Sequence, residues 1–346
     1  MSTTTKPIAV AIATPLEPEF VERIAVVDDR LEVRFEPDLL PPARFRGDHR
    51  GVEGFRRTAG QEARWGQLLA DAEILFGLPG DSPQTLAKLV RENTALRWVQ
   101  ATVDGAGERA RAAGLTEEEL DRVQITGASG IHAGPLAEFA MFGILAFAKQ
   151  LPRLIADTQA RRWEHYPMTD LAGKTLLVIG LGSIGTEVAR LGKAFGMHVS
   201  GVNRTGRDIV PGVETIRPPR FLGDLLPTAH AVVLTLPLTE QTAGMIGADQ
   251  ISRMREDAVL VNVGHGAVVD EQALIRGLNQ GQPAAAVLDV FATEPLAPES
   301  PLWRMPNVLI SPHTAALSMQ ENERIVVLFM ENLRRYLRGS DLIGRI

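Results

Sequence analysis

Thr175-Leu-Leu-Val-Ile-Gly180-Leu-Gly182-Ser-Ile-Gly185 is the stretch on which the fold turns. Its first five residues form a continuous apolar run, as expected of a strand buried on both faces. Glycines follow at once in G-x-G-x-x-G spacing, and Thr186–Phe195 has the composition of a helix. Strand, glycine turn and helix together make this more than a chance glycine pattern. Gly180 permits the tight turn, Gly182 lets backbone approach a pyrophosphate, and Gly185 lets the helix sit close to the strand. Free N–H groups and the helix dipole then favour phosphate. The expectation is a nicotinamide-dinucleotide site.

Downstream the rhythm of strand and helix continues. Thr175–Ile179, His198–Val202, Ala231–Leu236, Ala258–Val261, Ala285–Leu288 and Val308–Ile310 read as six strands of a doubly wound domain. Upstream, Ile8–Ala13, Glu32–Phe35, Ile74–Phe76, Trp98–Ala101 and Val123–Thr126 read as strands separated by helical patterns. Such alternation implies parallel βαβ units, so both halves are α/β. Residues 133–150 read as one long apolar helix with Pro135 in its first turn, where proline is tolerated. A polar segment, 151–171, follows. An amphipathic helix at about 318–338 has no strand after it and is expected to pack back on the first region. Residues 40–60, rich in Arg, Gly and Pro, read as a long loop. It is either a solvated surface loop or a flap beside an active site.

The 346 residues favour two domains. Apolar residues make up 45% and charged residues 23%, ordinary globular usage. The net charge of −6 argues against a nucleic-acid partner. The chain has no cysteine, which excludes disulfides, thiolate metal sites and cysteine nucleophiles; no metal is expected. The apolar run Ile8–Ala13 is too short for a usual signal-peptide core. Leu136–Ala148 is interrupted by Glu138 and too short to span a bilayer. No membrane partner and a cytoplasmic location are expected.

The second strand of the glycine-loop unit ends at Val202-Asn203-Arg204-Thr205. A site for NAD usually has an acid here, accepting from the ribose hydroxyls. Asn203 is neutral, Arg204 follows it, and Arg207 lies beyond. A guanidinium binds a 2′-phosphate well, whereas an acid repels it. NADP(H) is therefore preferred over NAD(H), which stays possible.

Three later segments carry a resemblance. They are Leu236-Pro237-Leu-Thr-Glu-Gln-Thr242, Leu288-Asp289-Val-Phe-Ala-Thr-Glu294-Pro295 and Ser311-Pro-His313-Thr-Ala315. With the mid-chain glycine loop they resemble the D-isomer-specific 2-hydroxyacid dehydrogenase family, over most of the chain and with specific order and spacing. The resemblance implies a Rossmann dinucleotide-binding domain, 132–317, inserted in a split flavodoxin-like substrate domain, 1–131 plus 318–346. It makes His313 the acid/base and Glu294 its partner. The chemistry suits them: reducing a ketone by hydride requires a proton at the oxygen as charge develops, which imidazolium delivers near neutral pH. A neighbouring carboxylate holds the ring. Asp289 would contact the nicotinamide amide, although a strand-end Asp can equally organise its loop. Ser183 and Ile184 would lie against the pyrophosphate, and Pro237 and Thr242 on the adenosine side. A homodimer through about 133–170 is implied, with Phe139, Phe142, Phe147 and Trp163 as candidate interface residues; burial in the chain's own core is the alternative.

Two positions depart from the family pattern. In Val261-Asn-Val-Gly-His265-Gly266, His265 stands where the family has an arginine that grips the substrate carboxylate and carbonyl. Histidine offers one donor per nitrogen in place of a charged fork. In Ala101-Thr-Val103-Asp104-Gly105, the backbone cradle for the same carboxylate carries an acid, with Phe76–Gly80 as the facing loop. Three readings stay open. His265, paired with Asp104, still binds a carboxylate; the substrate is another carbonyl compound; or the protein mainly binds dinucleotide. The expected activity is hydride transfer between NADP(H) and a small 2-keto/2-hydroxy acid, the alternative a dinucleotide-binding sensor.

Overall fold

The computed structural model describes residues 7–80, 82–102, 106–128 and 130–346. The chain divides into two compact units. One runs up to Ile131 and takes in Leu317–Ile346; the other is His132–Ala316.

The first unit holds strands β1 (Ile8–Ile12), β2 (Leu31–Arg34), β3 (Ile74–Phe76), β4 (Trp98–Gln100) and β5 (Gln124–Thr126). All pair in parallel in the order β2-β1-β3-β4-β5, the flavodoxin-like order. Alternate strand residues serve two cores. Ala11, Leu75, Val99 and Ile125 pack with Trp65, Leu68, Leu86 and Leu89 on one face. Val10, Ile12, Ile74, Phe76 and Trp98 pack with Ile24, Ile325 and Phe329 on the other. The last two belong to the helix Glu321–Leu337, so the chain end does return to this unit. The Phe329 ring lies 4.7 Å from Phe76 and 4.9 Å from Trp98, centroid to centroid.

The second unit holds β6 (Thr175–Ile179), β7 (His198–Val202), β8 (Thr215–Arg217), β9 (Ala231–Leu234), β10 (Val259–Asn262), β11 (Ala285–Leu288) and β12 (Val308–Ile310). Their order is β12-β11-β10-β9-β6-β7-β8, all parallel. This is the Rossmann order extended by β12. The expected six strands become seven. Thr215–Arg217 carries no buried residue and exists by pairing with Ser200–Val202 at the sheet edge. The expected helix over 133–150 is Ala133–Ala148, and the polar segment after it opens with a second helix, Leu151–Gln159, set off by a bend of 61°. Gln150 takes the left-handed conformation, φ 53°, and Pro152 opens the new helix where its missing N–H costs nothing. No single described helix is long and apolar enough to cross a membrane. Phe142 and Trp163 are exposed, whereas Phe139 and Phe147 pack partly on the unit's own core.

Candidate functional site

The glycine loop is shaped by contacts that tolerate no side chain. Gly180 has φ 103°, in the region that favours glycine. The Thr235 hydroxyl, at the end of β9, donates to the Gly180 carbonyl at 2.6 Å. A Cβ on Gly185 would stand 1.8 Å from that same carbonyl oxygen. Gly182 precedes the helix Ser183–Ala194 with no side-chain cap, and a Cβ there would meet nothing within 4 Å. The first intrahelical bond is Thr186 N–H to the Gly182 carbonyl, 2.9 Å. The N–H groups of Ser183, Ile184 and Gly185 precede it and lack intrahelical acceptors. This cradle fits a pyrophosphate. Thr235 went unnoticed in the sequence because a lone threonine at a strand end carries no signal.

At the end of β7 the side chains of Asn203 and Asp208 are hydrogen-bonded to each other. Asn203 Oδ1 also accepts the Gly206 N–H at 2.6 Å, and the Thr205 hydroxyl donates to Asp208 Oδ2 at 3.2 Å. Asn203 and Thr205 therefore shape their own turn. Beside it lies a cavity of about 420 Å³ walled by Thr205, Arg207, Arg217, Arg220 and Phe221. Arg217 and Arg220 lie over the Phe221 ring, 5.6 and 4.9 Å from its centroid. Arg204 is exposed and does not line this cavity. Arg217 and Arg220 were missed because they depend on β8, an element the pattern did not reveal. Thr242 stays within its own loop: its hydroxyl donates to the Pro237 carbonyl at 2.7 Å, and Pro237 is exposed.

His265, Asp289 and His313 follow the carboxyl ends of β10, β11 and β12, three neighbouring strands. Glu294 lies on the loop after β11. His313 Nδ1 is 2.8 Å from Glu294 Oε2, and Glu294 Oε1 accepts the Phe291 N–H at 3.0 Å. The carboxylate thus ties the imidazole to its own loop and leaves Nε2 as the outward nitrogen. The His313 side chain is 57% exposed, so a reacting group can reach it. His313 sits at φ 53°, an unusual conformation for a non-glycine residue.

Asp289 explains how that conformation is held. It is 1% exposed, and its Oδ1 accepts from the Ser311 hydroxyl at 2.7 Å, Thr314 N–H at 2.9 Å and Ala315 N–H at 3.0 Å. Its backbone carbonyl accepts the His313 N–H at 2.9 Å. Of the two expectations for Asp289, these bonds match the loop organiser.

The turn bearing His265 is braced in the same way. Asn262 Nδ2 donates to the His265 carbonyl at 3.0 Å, and Asn262 Oδ1 accepts the Gly264 N–H at 3.1 Å. A Cβ on Gly266 would stand 2.0 Å from the Phe291 backbone, so glycine alone lets this turn pack there. The His265 ring is partly buried, with no hydrogen-bond partner among the described residues.

In the first unit one expectation is corrected. Phe76 is fully buried against Phe329 and cannot touch a substrate. Its loop, Leu78–Gly80, instead lines a cavity together with residues 40–57. The long loop is thus more than a solvated surface segment. Val103, Asp104 and Gly105 lie outside the described residues.

Comparison with known proteins fits this geometry. A family model described as "D-isomer specific 2-hydroxyacid dehydrogenase, NAD binding domain" matches residues 141–315. A glyoxylate reductase of Korarchaeum cryptofilum is 35% identical over 227 residues, covering 63% of this chain and 67% of the relative. A crystal structure of a D-isomer-specific 2-hydroxyacid dehydrogenase family protein from Aeromonas salmonicida superposes with a TM-score of 0.78, at 28% identity and over 99% of both chains. A D-isomer-specific 2-hydroxyacid dehydrogenase from Xanthobacter autotrophicus, crystallised with NADPH and MES, gives a TM-score of 0.74 at 25% identity, over 99% of this chain and 98% of the other. With more than half the chain matched by the family model and the fold shared along its length, the protein belongs to the D-isomer-specific 2-hydroxyacid dehydrogenase family and is an NAD(P)-dependent oxidoreductase.

Proposed function

We propose that the chain reduces the C2 carbonyl of a small 2-keto acid with NADPH, and that glyoxylate is among its substrates. The observation that carries this is the His313–Glu294 pair at 2.8 Å, at the carboxyl end of the dinucleotide-binding sheet. A protein that only senses dinucleotide has no need of a proton donor there. Relatives named glyoxylate reductase support the substrate class. Neighbours holding NADPH or NADP support the cofactor, as does the arginine-lined cavity beside β7.

When bound, NADPH supplies a hydride to the carbonyl carbon. The chain's own part is to hold and to protonate. The Ser183–Gly185 N–H groups hold the pyrophosphate, and Arg207, Arg217 and Arg220 hold the 2′-phosphate. His313 delivers a proton from Nε2 to the carbonyl oxygen as negative charge develops on it. Glu294 accepts from Nδ1–H, which fixes the ring and balances its charge. His265 in its charged form binds the substrate carboxylate, a single contact where an arginine would make two. The protein works as a homodimer, to which exposed Phe142 and Trp163 contribute, in the cytoplasm.

The test is oxidation of NADPH and NADH, followed by absorbance, across a panel of 2-keto acids and neutral ketones. Turnover of 2-keto acids that falls at least a hundredfold in His313→Asn, with NADPH binding kept, supports the reading; a general acid contributes about 10²–10⁴-fold. Dinucleotide binding without turnover of any carbonyl refutes it. His265→Arg should raise kcat/KM for glyoxylate, on the order of tenfold, by restoring a bidentate charged contact.

A further inference from the structure

The dinucleotide loop Gly180-Leu-Gly182-Ser-Ile-Gly185 is rich in glycine. Glycine takes positive and negative φ with nearly equal ease, so such a loop has several backbone conformations open to it. Only some of them leave its N–H groups free for a phosphate. Among the described residues, the side chain that hydrogen-bonds to this loop from outside is Thr235.

Thr235 directly follows β9, the neighbour of β6 in the sheet. Its N–H donates to the Ile179 carbonyl at 3.0 Å and carries the pairing of the two strands one residue further. Its hydroxyl donates to the next carbonyl, that of Gly180, at 2.6 Å. The same oxygen would stand 2.9 Å from a Cβ on Gly180 and 2.9 Å from one on Gly185. One hydroxyl thus presses on both glycine positions. Leu181 is held as well. Its side chain packs on β7, where a Cβ on Gly201 would stand 2.6 Å from Leu181 Cδ1.

The Gly180–Leu181 peptide is therefore pinned at both ends. In a trans peptide the C=O and N–H point in opposite directions. With the Gly180 oxygen turned to Thr235, the Leu181 N–H turns away from β9. It has no acceptor among the described residues, and neither has the Gly182 N–H. Gly182 and Ser183 are exposed, so these donors are open to a ligand. A flipped peptide would turn a carbonyl oxygen to the side on which the donors lie, where it would repel a phosphate.

We propose that the Thr235 hydroxyl is a positioning group for the cofactor: it locks the Gly180–Leu181 peptide in the orientation that leaves the loop's N–H groups free for the pyrophosphate. Thr235 acts through Gly180 and touches no phosphate itself. A loop already set in its bound form loses less conformational freedom on binding, which strengthens affinity. NADPH and NADH share the pyrophosphate, so the effect is common to both and independent of the carbonyl compound reduced.

The test is fluorescence titration of the full chain with NADPH and with NADH, beside thermal denaturation without ligand. Thr235→Val removes the hydroxyl and keeps the branched shape. It should raise Kd for both dinucleotides by the same factor, about three- to tenfold, the worth of one hydrogen bond. Thr235→Ser keeps the hydroxyl and should hold Kd within about twofold of the wild type. Val233→Ala, at a fully buried position of the same strand, controls for lost stability alone; it should lower Tm and leave Kd within about twofold. Thr235→Ala takes the place of the valine variant if that variant does not fold. An unchanged Kd in Thr235→Val, whatever its Tm, makes the hydroxyl a structural contact and overturns the inference. So does a serine variant that binds no better than the valine one, or a Val233→Ala variant weakened as much as Thr235→Val. Failure to turn over any 2-keto acid bears on the proposed reaction and leaves this inference standing.

Discussion

Replacing Asp289 by alanine should cost both stability and catalysis without touching the cofactor. The side chain is 1% exposed, and one oxygen accepts three hydrogen bonds from Ser311, Thr314 and Ala315. Leaving a buried donor unsatisfied costs about 1–3 kcal/mol. The three donors share one acceptor, and water can enter the space vacated, so the losses do not add in full; the net should be about 3 kcal/mol. For a unit of this size that lowers Tm by roughly 6–12 °C. The same turn holds His313 at φ 53°, a conformation that disfavours L-residues by about 1–2 kcal/mol. Without its brace the turn relaxes and carries the imidazole away from Glu294. We predict a ten- to hundredfold fall in kcat, part of the roughly 10²–10⁴ that a positioned acid contributes. Asp289→Asn keeps an acceptor but loses the charge, and should lose only about 1 kcal/mol. Thermal denaturation, steady-state kinetics and a fluorescence titration with NADPH read the three effects separately. A fall in NADPH affinity with kcat intact would refute positioning and favour direct contact with the nicotinamide. An unchanged Tm and kcat in Asp289→Ala would refute the whole argument.

Gly185→Ala should weaken NADPH binding at least tenfold, because its Cβ would lie 1.8 Å from the Gly180 carbonyl oxygen and forcing it in costs about 1–3 kcal/mol or more; an unaltered dissociation constant refutes this. Arg217→Ala with Arg220→Ala should raise KM for NADPH on the order of tenfold and leave KM for NADH within about twofold, so a parallel change in both refutes the 2′-phosphate site. Asp48→Asn should flatten the acid limb of the stability curve. Burial alone would raise the Asp48 pKa, but hydrogen bonds from the Arg44 side chain and the N–H groups of Arg44 and Gly51 prevail and hold it well below the usual carboxylate range. A depressed folded pKa contributes stability that is present above the unfolded value, about 3.9, and is lost as pH falls through it towards the folded value. The wild type should therefore lose Tm more steeply than the variant below about pH 4; parallel curves refute the role.

Much of the dinucleotide unit is legible in the sequence. A strand buried on both faces must be apolar throughout, and a turn without room for Cβ must be glycine, so Thr175–Gly185 announces itself. The helix Glu117–Arg122 was legible too, through the capping box of Thr116 and Glu119, but went unread among charged residues. Strand β8 was not legible, because three residues at a sheet edge, none of them buried, have no period of their own. Phe76 shows the limit on the other unit. A phenylalanine at a strand end suits a core or a substrate pocket equally, and only the return of Phe329 from the far end of the chain decides for the core.

Local pattern was enough for the α/β class, the glycine cradle and the residue types able to carry hydride chemistry, because propensity, periodicity and motif spacing act over a few neighbouring residues. The tertiary structure alone decided that Asp289 braces the turn of His313, that Arg217 and Arg220 join Arg207 around one cavity, and that the arginines of residues 40–57 meet Arg109 at the ends of β1 and β3. Those convergences depend on which strands lie side by side, and strand order is set by the packing of whole layers rather than by any local stretch of chain.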